Sequence, residues 1–548
     1  VSGKRYFNSS TGDVEFQDPL GEAEDVTSRL YRDGTYRTVF GPAVAHNGQI
    51  LANSVENIKG GVRRMLNVRD AKRADGGKKF KDDQIIFVDK QGDMLKKMCD
   101  SYTPHFEEYT SAYEEAIMHH DDAHAKRQLR IDAWSDLISS GRVHGTDWFR
   151  HDKEPITYKL KKNEIAKIEK WMRAIGDLGV AASLFGFRIT KYLKEAMAEN
   201  SIDEDWGKLE FIPKPSPDRL DRLFREHLEP TKPIFSFFSD DSILSFFHNG
   251  EWYSYNIDIS SCDASHGPKL FEALIAITPE KARDDMRILI DQCRRNFKIT
   301  NPTKGRRKES ITFKCKEPRL FSGWTGTTII NNLACILFGS HIVKHLDSFD
   351  GTEQWLKDRA AEAGYTITAT RNQDMYDMQF LKHSPVVDDD ENVRALINLG
   401  VFLRSSGTCK GDLPGRGDLR KRAEEFQAAL LQGMYPRVSN DLIDRFKTTA
   451  GNTINRKTYT KIVREDLAYK LDYSELLTDE ELDTIVTRGT ELRVSTEEIV
   501  KRYRLTGHEI LELEQLSSLG YGWHTAQSFA DKVLNKDYEL NTMIINMY

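Results

Sequence analysis

The densest alternation of apolar and polar residues lies between Ile234 and Asp263, IFSFFSDDSILSFFHNGEWYSYNIDISSCD. Phe235 to Phe238 and Ile243 to Phe247 are short aromatic and β-branched runs, which predict strands. Ser239-Asp240-Asp241 separates them and predicts a tight turn with carboxylates at its tip. His248-Asn249-Gly250-Glu251 turns the chain again, since Asn-Gly between apolar runs is the strongest short-range hairpin signal. A two-residue turn centred there places Asp258 opposite Asp241. Opposed residues on neighbouring strands have Cβ atoms roughly 5 Å apart, so this hairpin gathers carboxylates at one edge of a sheet. Such a cluster repels itself unless cations hold it, and two Mg²⁺ ions about 3.5–4 Å apart would make it a phosphoryl-transfer site.

Elsewhere the pattern is plainer. Tyr158 to Ile175, YKLKKNEIAKIEKWMRAI, begins like a strand and continues with Lys161, Lys162, Glu164, Lys167, Lys170 and Arg173. It reads equally as an amphipathic helix with Lys-Glu pairs and as a triphosphate-binding segment. Pro268 opens a helix with Leu270, Phe271, Leu274 and Ile275 on one face, placed to back the sheet. The glycine-rich stretch Phe321 to Asn332 feeds a helix with Thr327 and Asn331 on one face, and Gly323 and Gly326 would let backbone approach a ligand. Thr352 to Gly364 predicts a helix ending at its glycine, Tyr365 to Thr370 a strand, and Phe380 to Pro385 a short strand or turn. From Asp388 onward the reading is helical apart from the loop SSGTCKGDLPGRG, with capping boxes at Thr478/Glu481, Ser495/Glu498 and Thr506/Glu509. Ala423, Phe426 and Leu430 give a further apolar face closed by Gly433 and Pro436.

Composition narrows the class. A chain of 548 residues, 39% hydrophobic and 30% charged, can bury a large core divided among several subdomains. No apolar run reaches the roughly 18 residues of a membrane span, and the start has no signal-peptide pattern, so a soluble protein is expected. The chain begins at Val1 rather than Met, as a processed or truncated product would. Cys99, Cys262, Cys293, Cys315, Cys335 and Cys409 are widely spaced without a CxxC pair, which favours free thiols in a reducing compartment over zinc. The net charge of −6 argues against a uniformly basic nucleic-acid binder, but 79 Lys and Arg leave room for a basic channel.

Other candidate clusters are weaker. The basic block Val62 to Lys81 could touch a nucleic-acid backbone, although a charge run more often forms a solvated face. His119, His120, Asp121, Asp122 and His124 are metal-like in composition, but they lie in a polar helical pattern without the Glu-after-His of a zincin. No GxxxxGK[ST] occurs, which excludes a P-loop helicase.

Taken together, several motifs resemble those of viral RNA-dependent RNA polymerases. Asp258 and Asp263 form the DxxxxD of motif A, and Ser322, Gly323, Thr327 and Asn331 the SGxxxTxxxN of motif B. The FLK at Phe380 is similar to motif E, and the Lys/Glu/Arg segment to motif F. The best match to motif C, Ser239-Asp240-Asp241, stands before motif A. This C-A-B order resembles the permuted polymerases of permutotetraviruses and birnaviruses. A competing motif C at Asp374 or at Val387-Asp388-Asp389-Asp390-Glu391 fits poorly, because neither reads as an acidic turn between two apolar strands. Ser239 replaces the usual Gly.

The resemblance implies an α+β right-hand fold of fingers, palm and thumb. The palm would be an antiparallel sheet backed by helices, with motif C preceding motif A. It divides the chain into an N-terminal extension and fingertips at 1–150, fingers with motif F at 151–230, a palm at 231–390 (265–318 partly fingers) and a helical thumb at 391–548. It implies Asp258 and Asp240 as ligands of two Mg²⁺ or Mn²⁺ ions, with Asp241 supporting. Lys162, Lys170 and Arg173 would hold the triphosphate, and Asp263 and Asn331 would check the ribose 2′-hydroxyl. Ser322 and Gly323 would lie by the template-primer and the incoming base pair, and Thr327 would be a further substrate-binding residue. Arg371 is a candidate acid for protonating pyrophosphate, set against a purely surface role. RNA template and product, NTPs and other viral replication proteins are the implied partners, in host-cell cytoplasm or a virion. A catalytically inactive polymerase-like RNA-binding protein and a reverse transcriptase remain the alternatives.

Overall fold

The computed structural model describes residues 78–105, 173–300 apart from 179, 214–216 and 261, 318–400, 492–516 and 527–539. It also describes short strands at 4–6, 14–18, 35–38, 41–44, 48–50, 156–160, 165–167, 310–315 and 438–439, and single helical positions at 132, 135 and 139. The metal-like cluster at His119 to His124, Lys162, Lys170, the 423–436 helical face and the Thr478/Glu481 box lie outside the described residues.

Helices and a largely antiparallel sheet make an α+β protein. The central sheet has six strands: β1 (Ile202–Glu204), β2 (Gly207–Phe211), β3 (Ile234–Phe238), β4 (Asp241–His248), β5 (Glu251–Ile259) and β6 (Ile367–Arg371). Their order is β6-β5-β4-β3-β2-β1, and every neighbouring pair is antiparallel except β2 and β3. A wholly antiparallel sheet was expected. The exception follows from α1 (Pro217–Leu228), which carries the chain from the end of β2 back to the start of β3, and a crossover of that kind makes neighbours parallel.

The predicted hairpin is present. Asn249 and Gly250 both have positive φ, 52° and 78°, as a two-residue type I′ turn needs. His248 pairs with Glu251, and the register runs through Phe247 and Trp252 to Asp241 opposite Asp258. Side-chain alternation then gives the sheet two unlike faces. Phe235, Phe237, Leu244, Phe246, Tyr253, Tyr255 and Ile257 join one core with Leu270, Phe271 and Leu274 of α2 (Pro268–Ile277). The same core takes in α3 (Thr327–Lys344), whose residues are buried without a break from Ile329 to Ser340. A helix apolar all round belongs in the middle of a protein, and here it backs the sheet. α4 (Glu353–Glu362), capped by Thr352, leads into the edge strand β6.

The opposite face carries Ile243 against Leu220, Leu223 and Phe224 of α1, together with a polar row. His227, fully buried, hydrogen-bonds the hydroxyls of Ser245 and Ser236, each at 2.8 Å. Ser236 donates in turn to Glu210 at 2.9 Å, so it accepts from His227 Nε2, and burial keeps the ring neutral. Ser245 and Ser254 hydroxyls lie 3.0 Å apart, and Asn372 reaches Ser254 at 2.9 Å. The row crosses β2 to β5 with each serine hydroxyl paired, which is what lets serines sit inside a sheet.

Past β6, the helical expectation from Asp388 onward needs correction. β7 (His383–Val387) and β8 (Val393–Ile397) pair as an antiparallel hairpin closed by the acidic turn 388–392. The turn is therefore acidic and lies between two strands, contrary to the reading of the sequence. Its β-branched flanks, Val386, Val387 and Val393, favour that. Helices α5 (Thr496–Tyr503), α6 (Gly507–Leu516) and α7 (Gln527–Asp537) follow. The Thr506/Glu509 box is half made, with the Thr506 N–H donating to Glu509 at 3.0 Å. Ser495 caps α5 without a side-chain hydrogen bond, and Glu498 instead accepts from the Val387 N–H at 3.1 Å.

A buried ion pair joins the C-terminal helices α5 and α7, and its hydrogen bonds fasten them to the 376–400 segment. Arg502 meets Asp537 at 2.7 Å, with the two side chains 4% and 0% exposed. Arg502 also donates to the Tyr376 carbonyl at 2.7 Å, while Asp537 accepts from Tyr503 and from the Gly400 N–H. Among the described residues no helix is long and apolar enough to cross a membrane.

Candidate active site

Asp240 and Asp241 sit where β3 turns into β4, and Asp258 lies near the end of β5. Phe238 pairs with Asp241, so Ser239 and Asp240 are the two turn residues, and Ser239 adopts a positive φ of 56°. Asp240 and Asp258 are exposed, Asp241 half-buried. Asp241 and Asp258 share the face of Ile243 and Asn256 by alternation. Burial, then the facing carboxylate of Asp258, hold the Asp241 carboxyl well above the usual carboxylate range. The Leu381 N–H, 2.7 Å from Oδ2, pulls the other way. That N–H is offered by the FLK segment, where Leu381 and Lys382 both have positive φ (49° and 61°) in a tight turn between Phe380 and His383.

Among the described residues no three Asp, Glu, His or Cys side chains are gathered tightly enough to hold a metal ion. What the fold builds is an opposed carboxylate pair with a third carboxylate at the adjoining turn. Hard oxygen donors whose charges repel are the donor set that Mg²⁺ or Mn²⁺ relieves. The rival acidic turn is unlike this. Asp388 is buried, accepts from the Asp390 and Asn392 N–H groups at 3.0 and 2.8 Å, and is paired with Arg394 at 2.9 Å. Its carboxylate is consumed in holding its own hairpin, which forms a separate two-stranded sheet.

The motif B residues flank the turn from behind. Asn331 is only 2% exposed, and its Nδ2 donates to the Ser239 hydroxyl at 2.9 Å. Its Oδ1 accepts from the Cys262 thiol at 3.2 Å and from His266 Nε2 at 2.7 Å. Burial lowers His266 to about 4, so the ring is neutral, donating from Nε2 and accepting at Nδ1 from the Tyr365 hydroxyl 3.0 Å away. Thr327 at the start of α3 turns its hydroxyl back to the Trp324 carbonyl at 2.8 Å. Gly323, at φ 102°, is required where it stands, because a Cβ there would lie 2.2 Å from the Gly176 carbonyl oxygen. The close approach that this glycine permits is therefore to the strand Ala174–Asp177, whose Gly176 N–H donates to the Ser322 carbonyl at 2.7 Å.

Of the triphosphate candidates, Arg173 is described and exposed. The described parts of its segment are strands, Ile156–Leu160, Ile165–Lys167 and Ala174–Asp177, so the amphipathic-helix alternative is not realised there. Arg371 is placed away from the carboxylates. Thr368 is the partner of Asp258 and Arg371 that of Tyr255, an odd step along the strand, so Arg371 belongs to the opposite face. It pairs with Glu251 at 3.0 Å and lies over the Tyr253 ring at 4.3 Å.

Sequence reasoning missed Asn332, Cys335, His266 and Leu381. The Ser239 N–H donates to Asn332 Oδ1 at 2.8 Å, and the Cys335 thiol to the Ser239 carbonyl at 3.1 Å. Adjacent asparagines in an otherwise apolar helix were the available signal, since a buried amide needs a partner.

No protein-family model matches this chain, and no curated protein matches it in sequence. Its structure is similar to that of the birnavirus VP1-VP3 complex, at 13% identity and a TM-score of 0.40, over 76% of this chain and 69% of that one. It is similar also to the RNA polymerase VP1 from infectious pancreatic necrosis virus, at 12% identity and a TM-score of 0.39, over 81% of this chain and 69% of that one.

Proposed function

We propose that this chain is an RNA-dependent RNA polymerase of the right-hand type, with motif C ahead of motif A. The observation that carries the reading is the pairing of Asp241 with Asp258 across β4 and β5, with Asp240 at the adjoining turn. Carboxylates brought together on one sheet face, one of them pushed toward its protonated form by burial and then by its neighbour Asp258, are arranged for divalent cations rather than for structure. Residues 231–390 would then be the palm, 151–230 and part of 265–318 the fingers, 1–150 an extension with the fingertips, and 391–548 the thumb.

In this reading Asp258 and Asp240 would hold two Mg²⁺ or Mn²⁺ ions, with Asp241 supporting. When bound, the pair would acidify the attacking 3′-hydroxyl and offset charge on the phosphate oxygens. The RNA 3′-oxygen forms a bond to the α-phosphorus of an NTP, its proton is lost, and the bond to the pyrophosphate leaving group breaks. Asp263, five residues beyond Asp258 in a short helix (Cys262–Ser265), is assigned to the ribose 2′-hydroxyl. Ser322, Gly323 and Thr327 are assigned to the template-primer side, and Lys162, Lys170 and Arg173 to the triphosphate. Template and product RNA, NTPs and other viral replication proteins are the proposed partners, in host-cell cytoplasm or a virion.

A primed RNA template, labelled NTPs and Mg²⁺ or Mn²⁺ test this directly. Template-dependent extension that is lost in Asp258→Ala supports it. RNA binding without extension under either ion would instead favour a polymerase-like carrier of RNA.

A further inference from the structure

Ser239 occupies the first turn position at φ 56°, where a side chain is strained and glycine is at ease. Such a backbone persists when its surroundings over-determine it. Here three side chains of one buried helix hold a single residue: Asn332 takes its N–H at 2.8 Å, Asn331 its hydroxyl at 2.9 Å and Cys335 its carbonyl at 3.1 Å. Residues 331, 332 and 335 are contiguous around one turn of α3, so they act from a common rigid support.

The far end of Asn331 is fixed as well. His266 Nε2 lies 2.7 Å from Oδ1, with Tyr365 3.0 Å from the other ring nitrogen. The Cys262 thiol adds a third contact to Asn331, at 3.2 Å, from the residue beside Asp263. Asn331 thereby joins the helix, the segment just beyond β5 and the turn that bears Asp240 and Asp241. The Asn331 amide is 2% exposed, its oxygen already accepts twice and its nitrogen donates to Ser239, so what is left over is a single N–H with almost no access to a ligand.

We infer that Asn331, Asn332 and Cys335 form a clasp that sets the Ser239 turn, so that Asn331 is a positioning residue for the metal-binding carboxylates and not a reader of the ribose. The inference rests on the polymerase reading for its catalytic consequence, but its structural content does not. The hydroxyl of Ser239 is what Asn331 grips, whereas Asn332 and Cys335 hold its backbone, and glycine at 239 would relieve the strain at that φ. Asn331 and Ser239 are thus a matched pair.

The test uses the full chain. Hydrogen–deuterium exchange of the peptide spanning 238–242 is compared in wild type, Asn331→Ala, Asn332→Ala and Ser239→Gly, alongside Mn²⁺ binding followed by electron paramagnetic resonance. Faster exchange of the turn and weaker Mn²⁺ binding are expected in both asparagine variants. In extension assays Asn331→Ala should lower kcat by about 10²-fold, the scale of a misplacement near 1 Å, with the KM for NTP and the ribo-to-deoxyribonucleotide ratio little changed. Ser239→Gly, which keeps the turn without the Asn331 contact, should be active and should restore about tenfold of the loss when combined with Asn331→Ala. Unaltered turn exchange in both asparagine variants overturns the clasp. So does a fall in ribonucleotide preference in Asn331→Ala with no rescue by Ser239→Gly. If wild type fails to extend RNA, the polymerase reading falls while the exchange and Mn²⁺ arms still decide the clasp.

Discussion

Asp241 and Asp258 are directly opposed across a hairpin, and the presence of Asp258 is one reason why Asp241 resists ionisation. Removing a ligating carboxylate should therefore abolish chemistry while sparing contacts to the RNA backbone. Asp258→Ala and Asp240→Ala are expected to lose nucleotide incorporation by at least about 10³-fold, with RNA affinity within about twofold of wild type. Gel-shift and extension assays on the same preparations measure both, and substantial incorporation by either variant would sink the metal assignment.

Sugar choice should rest on Asp263. Asp263→Ala is expected to narrow the preference for ribonucleotides over deoxyribonucleotides by about tenfold or more, since a site that hydrogen-bonds a hydroxyl loses discrimination when its partner goes. Competition between ATP and dATP in single-nucleotide addition gives the ratio. An unchanged ratio assigns Asp263 to structure.

Arg371 stacks on Tyr253 and pairs with Glu251 on the face away from Asp258. Arg371→Leu is expected to leave the rate and its pH dependence unaltered. A lost basic limb in the pH–rate profile would restore it as the acid for pyrophosphate.

Two buried histidines set the acid response. Burial lowers His227 to about 3 and His266 to about 4, so both are neutral in the fold and gain a proton on unfolding below about pH 6.5. The unfolded state then binds more protons, and stability falls as pH drops from about 6.5 toward 4. Asp241, shifted upward, acts in the opposite sense and costs stability as pH rises. Chemical denaturation from pH 7 to pH 4.5 should show a steep loss that His227→Gln makes shallower. An equal slope in that variant contradicts the assignment.

The Arg502–Asp537 pair should matter more than any surface pair. Asp537→Ala leaves a buried guanidinium without its charge partner, which costs about 3–5 kcal/mol. Earlier cleavage of the 492–539 helices in limited proteolysis is the expected sign, and wild-type resistance would refute it.

The hairpin was legible because Asn249-Gly250 fixes a turn type, a turn type fixes a register, and register decides which acids meet. Capping made α4 legible, with Thr352 and Gly364 where its ends were expected. The parallel neighbours β2 and β3 were not legible, because nothing local in GKLEF or IFSFF says which strand a crossover helix will return beside. Which face Arg371 takes was not legible for want of the β6 register, which depends on long-range pairing with Tyr255. Val387 to Asn392 was dismissed as a hairpin although its flanks are β-branched. Its carboxylate still proved to be structural, held by Arg394. Asn331 matched a motif and so drew attention from Asn332 beside it.

Chain order has a kinetic side. Asp241 and Asp258 are borne on consecutive strands joined by a two-residue turn, so the acids are brought together by contacts local in sequence. Closing such a loop costs little entropy, and isolated hairpins form in about 1–10 μs. The two arms of one hairpin carry the opposed acids, and no distant strand has to be found to unite them. The slower steps are left to the helix behind and to β6, which must travel back from beyond residue 360 to reach β5.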